Sequence, residues 1–331
     1  MDYPSDLPEN VSSRRRLGRT GIEVSPVAMG CWPIAGMTSL GVNDVDSLAT
    51  LHAAIDGGVN FFDNAYGYGA NGQSERLLGK ALSQRSVTER QDIVIASKAG
   101  MHWESNGQRK FDAAPSRIVS QCEESLQRLG VDRIEVYYLH AYDPNVPLED
   151  SATAFARLVE QGKIGCVGVS NLSVAQMDLF ASACPISVVQ PPFNMLQQQI
   201  QRDLIPWCQQ RDIAVVSYWP LMKGLLAGGI RRGHVFEKED KRLTYDIFQG
   251  AAFEQAQRLL DFLDGIAAKH NVSVAEVVVN WTFNQPGITA CLCGAKRDWQ
   301  IRQSAAAICL QLDREEMKAI DQKLIELADQ Y

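Results

Sequence analysis

The stretch FFDNAYGYGANGQSE, residues 61–75, sets Asp63, Tyr66 and Tyr68 just behind an apolar run. Gly67, Gly69 and Gly72 in the same stretch fit G-x-G-x-x-G. Two chemistries compete here. A dinucleotide-cradling loop needs its first glycine directly after the strand and an acid at the end of the next strand, about 20 residues on. Here Asp63-Asn64-Ala65-Tyr66 intervene, and the next apolar run ends at Ser97-Lys98, with a cation where the acid should be. The fingerprint fails both conditions. The other chemistry is proton transfer. Asp63 and Lys98 fall at the ends of successive strand-like runs, so a buried ion pair between them is expected. A charged lysine there would lower the pKa of a neighbouring tyrosine from about 10 and make the phenol a proton donor near neutral pH. Tyr66 and Tyr68 are two apart, point the same way in an extended segment, and periodicity does not choose between them.

The same position after other apolar runs is also polar. His140 and Asp143 follow one run, Ser170 and Asn171 the next, Gln190 ends another, and Ser217 and Tyr218 end the one after. Each has an ordinary explanation: an aspartate caps a helix, a lysine lies on the surface, a histidine is satisfied in a core. Their recurrence at successive strand ends favours a shared site. No nucleophile–base pair and no metal-ligand spacing surrounds His140, and no metal site is expected. A lysine in a barrel could instead form a Schiff base in a lyase, but that needs a neutral amine, and Asp63 beside it favours the charged form.

These residues need a scaffold that brings strand ends together. Eight apolar runs recur: 26–31, 59–62, 92–97, 134–139, 164–169, 186–190, 213–218 and 288–293. Segments of helical period fill the gaps, such as PSRIVSQCEESLQRLG with proline at its start and glycine at its stop. The alternation predicts an α/β fold, a (β/α)8 TIM barrel, with a doubly wound open sheet as the alternative. RRLGRTGIEVS reads as an N-terminal β-hairpin, and helices at about 251–270 and 313–328 stand outside the alternation as two extra helices. Residues 1–13 are expected to be a flexible tail and 14–331 a single barrel domain.

Composition narrows the partners. The chain has 331 residues, 46% hydrophobic, and a net charge of −7 from 32 basic and 39 acidic residues. An acidic protein with one short basic run, Arg14 to Arg16, is a poor match for nucleic acid or an anionic membrane. The first ten residues carry no signal-peptide pattern, and no apolar run is long enough to span a bilayer. Eight cysteines without C-x-x-C spacing read as buried, reduced thiols, which suggests a cytoplasmic protein.

Taken together, RRLGRTGIEVS, DNAYGYG with GQSERLLGKAL, IASK, YYLHAYDP, GKIGCVGVSN, VVQPPFN, SYWPLMKGLL and GAKRDWQ resemble the aldo-keto reductase family over about residues 14–310. The resemblance implies a barrel that binds NADP(H) without a Rossmann fold, and an Asp-Tyr-Lys-His tetrad at Asp63, Tyr68, Lys98 and His140. The family's D-T-A-x-x-Y-G selects Tyr68 over Tyr66. It implies carboxamide contacts from Ser170, Asn171 and Gln190, and ring stacking by Tyr218. Leu221, Gly224 and Leu225 fall in the loop beneath the pyrophosphate. Gly294, Lys296, Arg297, Gln300 and Ser304 fall on the adenosine side, the two cations facing a 2′-phosphate. Trp32, Pro33, Trp103 and Tyr142 are expected to line the substrate pocket. Asn64 stands for the usual threonine, Trp219 for a small serine, and Gln303-Ser304 for a Glu-Asn pair. The implied activity is NADPH-dependent reduction of a small carbonyl substrate. Some relatives of this fold serve as non-catalytic, cofactor-sensing channel subunits, which is the alternative.

Overall fold

The computed structural model describes residues 14–36 and 40–328; the expected tail, residues 1–13, lies outside them. A short antiparallel hairpin, β1 (Arg15–Arg16) and β2 (Glu23–Val24), precedes the first barrel strand. The barrel strands are β3 (Val27–Gly30), β4 (Phe61–Asp63), β5 (Val94–Ala99), β8 (Ile134–Leu139), β9 (Ile164–Ser170), β10 (Val188–Gln190), β11 (Ala214–Tyr218) and β12 (Ala290–Gly294). They close in sequence order with every pairing parallel. Between β5 and β8 a second hairpin, β6 (Met101–Trp103) with β7 (Arg109–Phe111), stands off the barrel.

Helices cover the outside: α1 (Asp44–Asp56), α2 (Gln73–Ser83), α3 (Val87–Gln91), α4 (Pro115–Leu129), α5 (Leu148–Glu160), α6 (Val174–Ala181), α7 (Leu204–Gln209), α8 (Gly250–His270), α9 (Val274–Phe283), α10 (Asp298–Ala306) and α11 (Arg314–Ala328). The expected extra helices are α8 and α11. The gap between β10 and β11 is not filled by one continuous helix. It holds a 3₁₀ turn, Gln199–Gln201, followed by α7, whose N-cap Asp203 accepts from Leu204 N. The run at 92–97 is displaced by two residues into β5, so Lys98 lies within a strand and not after it.

Strand alternation divides the core in two. Ala28, Phe61, Val94, Ala96, Val136, Tyr138, Cys166, Val188, Ala214, Val216, Ala290 and Leu292 fill the barrel interior, and Leu17 and Val24 of the hairpin join them. A Cβ on Gly18, whose φ is +54°, would meet Asp212 O at 2.6 Å, so only glycine lets the hairpin close the end at which β11 begins. The intervening residues, among them Met29, Phe62, Ile95, Tyr137, Leu139, Val169 and Val215, pack outward against the helices. Cys291 and Cys293 share that outward face. Seven of the eight free cysteines are buried; Cys309 is exposed, contrary to the expectation for all eight.

Candidate active site

The inward parity continues to the other end of the strands. Asp63 follows Phe61 by two, Lys98 follows Ala96, His140 follows Tyr138, Ser170 is four beyond Cys166, Gln190 follows Val188, Tyr218 follows Val216 and Gly294 follows Leu292. Period two therefore delivers these side chains to the C-terminal mouth of the barrel, once the strands are in register Gly30↔Asp63↔Ala96 and Lys98↔Tyr138.

Lys98 is buried, and its ammonium donates to Asp63 Oδ2 at 2.5 Å, to Asn64 O at 2.7 Å and to the Tyr68 hydroxyl at 3.3 Å. An ammonium has three N–H donors, so all three are spent. The other oxygen of Asp63 accepts from Gln190 Nε2 at 2.8 Å. The Tyr68 ring is edge-on to Trp32 at 5.0 Å and to His140 at 5.7 Å. Asn171 donates from Nδ2 to His140 O at 2.9 Å and to Ser170 Oγ at 3.0 Å, and accepts on Oδ1 from the Tyr218 hydroxyl at 2.9 Å. Ser170 Oγ donates to Gln190 O at 2.8 Å. The buried Nδ1 of His140 has no hydrogen-bond partner among the described residues.

The electrostatics correct one expectation. Tyr68 lies well above the usual phenol pKa, not below it: burial raises it first, then the charge of Asp63. The carboxylate that pairs with Lys98 itself pushes the phenol up. Lys98 itself is lowered, by burial first, with Asp63 opposing. His140 is held well below the usual imidazole range by burial first, then by Lys98, and is neutral at physiological pH. The mouth therefore holds a protonated phenol, a neutral imidazole and an ion pair.

The two tyrosines do not point the same way. The loop after β4 turns at once, Tyr68 N donating to Ala65 O at 2.9 Å, so the extended geometry that would align them is absent. Tyr66 faces α4, where its hydroxyl donates to Glu124 at 3.0 Å and Arg128 covers its ring at 4.3 Å. Gly69 has φ +95°, a backbone conformation glycine takes without a Cβ penalty.

Trp103 is tied to this loop through Nε1 donating to Gly67 O at 2.7 Å. A Cβ on Gly294 would lie 2.8 Å from Pro33, which brings Pro33 to the end of β12. Tyr142 is 38% exposed and makes no side-chain hydrogen bond or ring contact among the described residues. Beyond β11 the chain turns through Trp219, Met222, Lys223 and Gly224, all at positive φ, with Leu225 buried and Leu221 partly so. Lys296 donates to Leu40 O at 3.1 Å; Arg297 donates to Gly41 O at 2.9 Å and pairs with Asp46 at 3.0 Å. Gln300 folds back to accept from Lys296 N and Arg297 N at 2.9 and 3.2 Å, and Ser304 is buried in α10.

A nicotinamide dinucleotide needs a flat aromatic face, amide partners for its carboxamide and cations for its phosphates. Tyr218 is half-buried, with Asn171 and Ser170 bonded beside it. Among the described residues, Lys296 and Arg297 hold backbone carbonyls and one partly exposed carboxylate, partners that an anion can replace. These residues could hold such a cofactor.

Sequence reasoning passed over one pair. Glu75 is fully buried on α2, accepting from Ser97 Oγ at 2.5 Å and from Arg128 at 3.2 Å. The signal was available: Glu75 shares the helix face of Leu78 and Leu82, where a charge demands a partner.

Comparison with known proteins places these features in context. The family model described as "Aldo/keto reductase family" matches residues 26–325. The chain is 34% identical over 303 residues to "Aldo-keto reductase YhdN" of Bacillus subtilis (strain 168), covering 91% of this chain and 90% of that protein. Among solved structures it is similar to the glycerol dehydrogenase AKR11B4 from Gluconobacter oxydans, at TM-score 0.87 and 33% identity over 95% of this chain and 96% of that one. The holo form of the aldo-keto reductase AKR11C1 from Bacillus halodurans shares the fold at TM-score 0.75 and 22% identity, covering 94% of this chain and 95% of that one.

Proposed function

The chain belongs to the aldo/keto reductase family, oxidoreductases of carbonyl and alcohol groups that use a nicotinamide cofactor, and from that premise we propose that it reduces an aldehyde or ketone to an alcohol with NADPH. The observation that carries this reading is the bond from Lys98 Nζ to the Tyr68 hydroxyl, beside Asp63 and His140 at the mouth. Tyr218, Ser170 and Asn171 would hold the nicotinamide of NADPH, which would supply the hydride for the carbonyl carbon. Tyr68 is protonated and delivers the proton to the carbonyl oxygen. Lys98 donates to the phenolate oxygen left behind, and that bond strengthens as negative charge develops there. Asp63 and Gln190 fix Lys98 in place. His140, neutral, orients the carbonyl oxygen through a ring nitrogen. Preference for NADPH over NADH is supported by Lys296 and Arg297, adjacent cations that suit a phosphate dianion.

A Schiff base on Lys98 is disfavoured by its geometry, because the ammonium holds three acceptors and offers no lone pair. The test is a panel of aldehydes and ketones assayed by NADPH consumption, run with Lys98→Met. The wild type is expected to reduce several of them, and Lys98→Met to lose nearly all turnover while its circular dichroism is kept. NADPH binding without reduction of any carbonyl would instead support a cofactor-sensing role.

A further inference from the structure

The barrel mouth carries positive charge that the proton-transfer apparatus does not use. Asp63 and Lys98 cancel each other, His140 is neutral, and Tyr68 and Tyr218 are protonated. Apart from Lys296 and Arg297 on the cofactor side, two cations beside the mouth, Arg109 and Lys223, have no carboxylate partner among the described residues. Arg109 lies on β7, in register with Trp103 on β6, and its guanidinium sits 6.0 Å from the Trp103 ring. Trp103 in turn grips Gly67, the residue before Tyr68. The hairpin thus ties the arginine to the loop that carries the phenol.

Arg109 is in no ion pair among the described residues, whereas its neighbour Lys110 pairs with Glu104 and Arg117 with Asp112. Lys223 is likewise without a carboxylate; its ammonium lies over the Trp219 ring at 3.7 Å and the Tyr245 ring at 4.3 Å. Arg109 lies within electrostatic reach of Tyr68, His140 and Lys223. Arg109 opposes the rise that burial imposes on Tyr68, and it adds to the lowering that burial imposes first on His140 and Lys223. A guanidinium has five donors and no acceptor, so without an acid of its own it is open to a planar or tetrahedral oxyanion. This arrangement lies in a chain whose net charge is −7, so the positive mouth is local and not a property of the whole surface.

We propose that Arg109 is a specificity-determining residue that selects carbonyl substrates bearing an oxyanion, a carboxylate or a phosphate, at the end remote from the reacting carbonyl. The inference rests on the reductase reading for the carbonyl and on the hairpin for the anion. Its test compares matched pairs: para-formylbenzoate against its methyl ester, and the phosphate ester of glyceraldehyde against glyceraldehyde. The wild type is expected to favour the anionic member in kcat/KM, and the pair with the larger ratio identifies the group. In Arg109→Ala that ratio should fall roughly ten- to a hundredfold, mainly through KM, the size of one charge-assisted hydrogen bond. Arg109→Lys should keep part of the preference and Arg109→Glu should reverse it. A ratio unchanged in Arg109→Ala overturns the proposal, as does an equal loss of NADPH affinity, which would assign the arginine to the cofactor. If no aldehyde is turned over, the reductase reading falls by itself. Quenching of tryptophan fluorescence by the same pairs then decides the charge preference without catalysis.

Discussion

At the scale of single residues, the site turns on which phenol meets Lys98. Tyr68 does, at 3.3 Å, while Tyr66 bonds Glu124 on the far side of the loop. Removing a positioned proton donor costs about 10² to 10⁴ in rate, roughly 3–5 kcal/mol of barrier. Tyr68→Phe is therefore predicted to lose that much in kcat with NADPH affinity nearly kept, and Tyr66→Phe to stay within about threefold of wild type. Steady-state kinetics on one reducible aldehyde at neutral pH, with cofactor titration beside it, separates them; a dead Tyr66→Phe with an active Tyr68→Phe would reverse the assignment. Asp63, Lys98 and His140 could be singled out in the sequence because each follows directly on an apolar run; the inward parity that groups them at the mouth is seen in the structure. The orientation of the tyrosines was not legible there, because it depends on a turn that begins at Ala65. Nor was the direction of the Tyr68 shift, since desolvation depends on how completely Trp32 and His140 cover the ring.

At the scale of elements, the loop between β4 and α2 is held from behind. Arg128 of α4 reaches Glu75 of α2 at 3.2 Å, Glu124 at 3.0 Å and Tyr66 O at 3.4 Å, and Glu75 accepts from Ser97, the residue before Lys98. The Glu75 carboxyl is raised by burial first, with Ser97 opposing, so the ion pair is under a desolvation load that only its partners offset. Breaking one side of such a pair typically costs about 3–5 kcal/mol, because the other charge is left buried. Arg128→Leu and Glu75→Leu are each predicted to destabilise by that order. The double variant should lose clearly less than their sum, as read from urea midpoints. Each single variant should also lower kcat, as the loop that aims Tyr68 loosens; additive losses would mean the two side chains do not act as a pair. Elements show the same division of legibility. The eight barrel strands and the long helices follow from apolar period. The β6–β7 hairpin does not follow from the strand–helix alternation; its mark is Asn106-Gly107 between HW and RKF, with Gly107 at φ +78°. The short α3 was passed over because its five residues bury nothing; its only mark is the Ser86–Glu89 capping box.

At the scale of the whole molecule, cofactor binding and stability are linked, because a ligand held only by the folded barrel raises its melting temperature. Lys296 and Arg297 precede α10 and hold the start of α1 through Leu40 O, Gly41 O and Asp46, joining α1 to α10 around the closure of β12 on β3. If these cations take up the 2′-phosphate, they must leave those partners. The Arg297–Asp46 pair is partly exposed, with side chains 34% and 38% accessible, and pairs of that kind contribute about 0–1 kcal/mol. Charge-assisted bonds to a phosphate contribute about 1.5–3 kcal/mol each, so the exchange is favourable with NADPH and has nothing to drive it with NADH. At a ligand concentration near 100 times its Kd the stabilisation is about 2.7 kcal/mol, large enough to read as a melting shift. NADPH is therefore predicted to raise Tm more than NADH at equal concentration. Replacing both Lys296 and Arg297 by Ala should lower the Tm of the free protein only slightly while bringing the NADPH shift down to the NADH value. Differential scanning with the two cofactors measures both quantities in one series. A double variant that keeps the full NADPH advantage would move the phosphate contact away from the start of α10.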